Sequence, residues 1–158
     1  MISEAVCERK KKMTRFRTVR SGEKIMGRLG FGCDLLEELN RIATAQEITL
    51  GRVEALGAVQ KARIGYYDQD ARVYEYVELD KAMEIVQLIG NVSLKDAKPF
   101  VHAHITLADE SGKTSGGHLA PGTILFACEF IIEALEGPDF NRSFDEETGL
   151  PLWDLAAS

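Results

Sequence analysis

Between Leu35 and Gln46 the apolar positions recur every three or four residues: Leu35, Leu39 and Ile42 form a stripe, with Leu36 and Ala43 beside it. That period predicts an amphipathic helix with one face against a core. Asp34 stands where a side-chain oxygen can cap the first free N–H groups, Glu37 follows at capping-box distance, and Gly51 falls in the connection beyond. Elsewhere the period shortens to two. "RVEALGAV" and "ARIGYY" read as strands separated by a change of phase, in which Gly57 marks a bulge. "RVYEYVEL" alternates Val73, Val77 and Leu79 with Tyr74, Tyr76 and Glu78, and "MEIVQLIGNVSL" follows as another strand. Asp68 to Ala71 has the chemistry of a hairpin turn. Short strands, one helix, then a series of strands without helical crossovers predict an α+β domain: a mainly antiparallel β-sheet flanked by one principal helix.

The stretch from Pro99 to Leu119 alternates most cleanly. Val101, Ala103, Ile105 and Leu107 share one face, and Phe100, His102, His104 and Thr106 share the other. "DESGK" is a turn and "TSGGHLA" a returning strand, which carries His118, the last of the chain's three histidines. Whether His118 joins the other two is a matter of parity. A five-residue loop over 109–113 sends Leu119 to the apolar face and His118 opposite His104, whereas an even loop would bury the imidazole and expose the leucine. The hydrophobic pattern therefore predicts three imidazoles on one sheet face, a donor set for a divalent ion at about 2.0–2.1 Å per nitrogen. Neutral imidazole suits zinc, the ion expected here, and also iron, nickel or copper. Three protein ligands leave a coordination position open. Gly116 and Gly117 leave room for a ligand or a neighbouring backbone to approach. Because ligands must be deprotonated and free histidine titrates near 6.5, metal release is expected below roughly pH 6. Glu54, Glu75 and Asp109 are the carboxylates considered as a base near such an ion, and Cys33 and Cys128 the thiols. Cys128 alternates with Ile124, Phe126 and Phe130 and reads as core packing.

Charge adds a second candidate. Residues 1–30 carry nine basic side chains against three acidic ones, so a segment of +6 precedes a remainder of −12 within a chain of net charge −6. Residues 1–14 are read as a basic extension and 15–155 as the folded domain. Arg9, Lys10, Lys11, Lys12, Arg15 and Arg17 are the candidate phosphate contacts if nucleic acid is a partner. The body's negative balance opposes such contact elsewhere. No apolar run approaches the ~20 residues of a membrane span, since Glu129 and Glu133 interrupt "TILFACEFIIEAL". The three cysteines lack any CxxC spacing, which together with the absence of a signal-like apolar segment predicts a cytoplasmic protein with reduced thiols. P-loop, GxSxG and dinucleotide-binding patterns are absent from the sequence.

Three stretches together, "GCDLLEELNRIATAQEITLGRVEALGAVQKARIGYYD", "MEIVQLIGNVSL" and "PFVHAHITLADESGKTSGGHLAPGTILFACEFIIEAL", resemble the plants-and-prokaryotes conserved (PPC) domain. The tail "FNRSFDEETGLPLW" is similar to that of its bacterial and archaeal single-domain members, and the likeness runs over roughly residues 15–155. The resemblance implies an antiparallel sheet flanked by helix, assembly as a homotrimer, and a metal ion held at His102, His104 and His118. Relatives in this family are often called DNA-binding proteins, because plant members join the domain to AT-hooks. This chain has no Arg-Gly-Arg-Pro core of that kind, and it reads Gly32-Cys33-Asp34 where the family usually has an acidic residue just before the helix. Two functions are therefore expected to compete: a trimeric metal-binding domain open to a small ligand or metal-assisted chemistry, and a DNA-associated regulator built on the same core.

Overall fold

The computed structural model describes residues 14–155. Nine strands and one helix follow in the order β1 (Arg20–Leu29), α1 (Leu35–Ala45), β2 (Gly51–Asp68), β3 (Val73–Leu79), β4 (Met83–Lys95), β5 (Lys98–Ala108), β6 (Thr114–Leu119), β7 (Ile124–Glu136), β8 (Arg142–Asp145) and β9 (Leu150–Trp153). The expected α+β class holds, with every strand pairing between named strands antiparallel. Seven strands form the main sheet in the order β1-β7-β2-β4-β5-β6, with β3 also on β2, and β8 and β9 make a separate hairpin.

The two stretches read as separate strands on either side of the phase change are one 18-residue strand, β2. Its register against β4 shifts between Ala55 and Gly57. Gly57 has φ +144°, and a Cβ there would lie 2.1 Å from the Ala127 carbonyl oxygen. The strand therefore bends at a residue only glycine can fill. The bend lets β2 serve two layers. Its first half lies between β4 and β7, while its second half pairs with β3 and receives β6 through Ile64↔Leu119 and Gly65↔His118. The pairings β2-β4-β5-β6-β2 close into a ring, which holds the edge of β6 against β2 instead of leaving it to solvent.

The core fills this ring and the inner face of the sheet. Val101, Ala103, Ile105 and Leu107 point into it as the alternation predicts, together with Leu88, Leu119, Leu125 and Ile132. Helix α1 supplies Leu35, Leu39 and Ala43, all fully buried; burial of each leucine contributes roughly 1.5–3 kcal/mol. Asp34 caps the helix, accepting from the N–H groups of Leu36 at 3.0 Å and Glu37 at 3.1 Å. Its other carboxylate oxygen accepts from the Gly122 N–H at 2.5 Å, tying the helix start to the β6–β7 turn. Further along, Asn40 accepts from the Val101 N–H at 2.9 Å and so occupies the part of β5 that β6 does not reach.

The alternation misleads in one strand. In β7, Cys128 and Phe130 are buried as expected, but Phe126 is 59% exposed and Leu125 takes the inward place. A register shift between Ala58 and Val59 on the facing strand reverses the phase there. No helix among the described residues is long and apolar enough to cross a membrane.

Candidate metal centre

The histidines are brought together by a short turn. Asp109 Oδ1 accepts from the Ser111 N–H at 3.0 Å, the Lys113 N–H at 3.1 Å and the Ser111 hydroxyl at 2.7 Å, while Lys81 donates to Oδ2 at 2.8 Å. These bonds organise a loop of five residues, 109–113, between β5 and β6. Odd parity follows, and His104 stands directly opposite His118 in the ladder. His102 shares the face two residues earlier, and Leu119 turns into the core.

One ring nitrogen from each of His102, His104 and His118 lies within 4.8 Å of the others. The ring centroids are 5.3, 5.0 and 5.6 Å apart for the pairs 102–104, 102–118 and 104–118. His104 is exposed and the other two are half-buried. Burial, with the nearby Arg142 and the neighbouring imidazoles, pushes His102 down to about 4, and burial followed by the His104 and Arg142 charges lowers His118. Both rings are therefore neutral at physiological pH, the state in which imidazole binds a cation. His118 Nδ1 is buried with no hydrogen-bond partner, a position that costs about 1–3 kcal/mol unless something occupies it. A buried, unpartnered nitrogen on one of three clustered histidines fits a divalent ion, for which His102, His104 and His118 are the ligands this chain offers.

The surroundings contain residues that periodicity did not single out. Arg142, on β8, reaches under the cluster: its Nε donates to Ser93 Oγ at 2.9 Å, its Nη2 to Asn91 Oδ1 at 2.9 Å, and its Nη1 to the Pro151 carbonyl at 3.0 Å. Nη2 also lies 3.5 Å from His102 Nδ1. A guanidinium only donates, so it disfavours a proton on that imidazole. Tyr74, on β3, tilts over His118 with centroids 4.9 Å apart. The sole sequence signal for Arg142 was that it sits in a family-like tail. Tyr74 belonged to an alternation whose inward face the pattern left undecided.

The remaining candidates are dispersed. Glu54 shares the cross-strand row Glu54–Ile89–His104, which places it two strand spacings, about 10 Å, from the histidine strand, and its carboxylate pairs with Arg52. Glu75 alternates with Tyr74 and points away from it. Asp109 is engaged at the hairpin tip, and Cys128 is core. Among the described residues no carboxylate or thiol joins the three histidines. Gly116 and Gly117 lie against backbone: an added Cβ would come within 2.8 Å of the Ile105 carbonyl oxygen and 2.6 Å of that of Gly65, respectively. Arg9, Lys10, Lys11 and Lys12 fall outside the described residues. Arg15 and Arg17 line a groove of about 660 Å³ that also receives His102 and His104.

Residues 16–136 match the Plants and Prokaryotes Conserved (PCC) domain family. The chain belongs to this family. Among solved structures, a metal-containing protein from Archaeoglobus fulgidus is 40% identical, with a TM-score of 0.84 over 89% of this chain and 99% of its own. A plant- and prokaryote-conserved protein from Pyrococcus horikoshii is 32% identical, with a TM-score of 0.81 over 90% and 97% of the two chains. The PCC region is also 35% identical over 125 residues to the bifunctional protein GlmU of a Synechococcus strain, covering 77% of this chain but 18% of that protein. The chain thus spans under a fifth of the length of the curated relatives it matches.

Proposed function

We propose that this PCC-domain protein is a metal-binding homotrimer in which His102, His104 and His118 hold one divalent ion, zinc by preference, with a coordination position left for a small ligand. The observation that carries this reading is the cluster itself: three donor nitrogens within 4.8 Å, in a group whose His118 has a buried, unpartnered Nδ1. The metal-containing relative at 40% identity supports it. Among the described residues no carboxylate joins the cluster as the positioned acid or base that metal-assisted hydrolysis needs, which supports ligand binding over catalysis. Self-association is supported by the outer sheet face, where Met26, Leu56 and Val86 are 74, 59 and 52% exposed around a second groove of about 740 Å³. A closed cyclic oligomer covers such a face without open-ended growth.

The decisive experiment is elemental analysis of protein purified without a metal-affinity tag. Wild type is expected to hold one divalent ion per chain after reconstitution. His104→Ala is expected to lose most of it while its far-ultraviolet circular dichroism is unchanged. Full occupancy in that variant, or a wild type that takes up no metal, refutes the assignment.

A further inference from the structure

The C-terminal hairpin reaches the cluster through Arg142. Strands β8 and β9 pair with each other and not with the strands of the main sheet, and they lie beyond the residues 16–136 that match the family. A lone two-stranded hairpin is marginally stable in water, so its attachments decide whether it stays in place. At one end Arg142 ties it to β4 through Ser93 and Asn91. At the other end the turn is tied separately: Tyr67 donates to the Thr148 carbonyl at 2.9 Å, and Arg72 to those of Glu146 and Glu147 at 3.1 Å. Arg142 is a half-buried guanidinium, yet every acceptor it uses is neutral: Ser93 Oγ, Asn91 Oδ1, the Pro151 carbonyl and, at 3.5 Å, His102 Nδ1.

The last of these contacts does not coexist with an ion on His102. If Nε2 holds the ion, Nδ1 carries the ring proton and two donors face each other. If Nδ1 holds it, the ion takes the lone pair that Arg142 Nη2 approaches. If the ring turns over, a carbon stands where Nδ1 was. In the first arrangement Nδ1–H also needs an acceptor, and Asn91, directly opposite His102, offers the oxygen that already accepts from Arg142. A dication beside a guanidinium adds repulsion, and among the described residues no carboxylate joins the three histidines to offset it. We infer that Arg142 and a divalent ion compete for His102, so that filling the cluster loosens the β8–β9 hairpin from β4 and the tail of the domain reports metal occupancy. The inference rests on the metal reading above. Because the turn is tied independently, the loosening is confined to the Arg142 end.

Hydrogen exchange on the full chain, with and without zinc at about pH 8 where an ordinary histidine is deprotonated, tests this at two amides. The Asp154 N–H, bonded to the Asn141 carbonyl at the Arg142 end, is expected to exchange at least about fivefold faster in the zinc-loaded protein. The Gly149 N–H, bonded to the Asp145 carbonyl in the turn, should not respond. Emission of Trp153, the sole tryptophan, should change in step with zinc uptake, since its ring lies 5.8 Å from the Arg142 guanidinium. Linkage requires the converse: Arg142→Gln should bind zinc at least about fivefold more tightly and lose the zinc dependence of the Asp154 amide. Should that variant fold poorly, exchange in the wild type decides alone. Zinc bound with Asp154 exchange unchanged or slowed, equal acceleration at both amides, or an Arg142→Gln protein that binds zinc no more tightly overturns the competition and leaves the metal reading standing. A protein that takes up no zinc overturns the metal reading, and this inference with it.

Discussion

His102 and Arg142 show how one charge contact tunes the site. Burial and the guanidinium hold His102 at about 4 against an ordinary 6.5, so the unfolded chain binds a proton at this position before the folded one does. The folded state thus gains relative stability above about pH 6.5 and loses it progressively as pH falls toward about 4. Melting of the metal-free protein across this window is expected to show that decline. Protons compete for His102 near pH 4, so the contribution of this residue to holding zinc should persist to lower pH than that of an unperturbed histidine. Arg142→Gln removes the charge and should move the His102 titration of the metal-free protein upward, as followed by NMR. An unchanged titration would show that burial alone sets the shift.

Among the elements, helix α1 and the bend of β2 carry separable risks. Asp34 accepts from two helix N–H groups and from Gly122, so Asp34→Ala should cost about 1–2 kcal/mol in urea denaturation while leaving zinc content intact, because no histidine touches the cap. Gly57→Ala should be more severe. A Cβ 2.1 Å from the Ala127 oxygen, at φ +144°, forces β2 and β7 apart, and a loss of about 3 kcal/mol or more, or failure to fold, is expected. If Gly57→Ala matched wild type in a melting experiment, the bend would not be what lets β2 reach both β4 and β6.

For the whole molecule, the outer sheet face and the arginine arm decide which partners are reachable. Val86, exposed beside Met26 and Leu56, lies on the face proposed for assembly. Val86→Glu should convert the expected trimer to smaller species in light scattering without loss of secondary structure; a wild type that is a stable monomer at micromolar concentration would remove the assembly proposal. Nucleic acid, if bound, should be held weakly and without sequence preference. Deletion of residues 1–12 should then flatten the salt dependence of affinity, leaving Arg15 and Arg17 beside the histidine groove.

The helix, the inward face of β5 and the meeting of three imidazoles were legible in the residues alone, because periods of 3.6 and 2 and the parity of a five-residue loop are local properties enforced by one buried face. The continuity of β2, the reversed phase around Phe126, and the placement of Arg142 and Tyr74 against the cluster were not. Each depends on which strand lies alongside which: a bulge is defined by its partner strand, and Arg142 follows His102 by 40 residues, its guanidinium brought beneath that imidazole by Ser93 and Asn91. Sequence pattern picked out the three histidines. Only the tertiary structure decided what charge surrounds them, because charge acts through space and not along the chain.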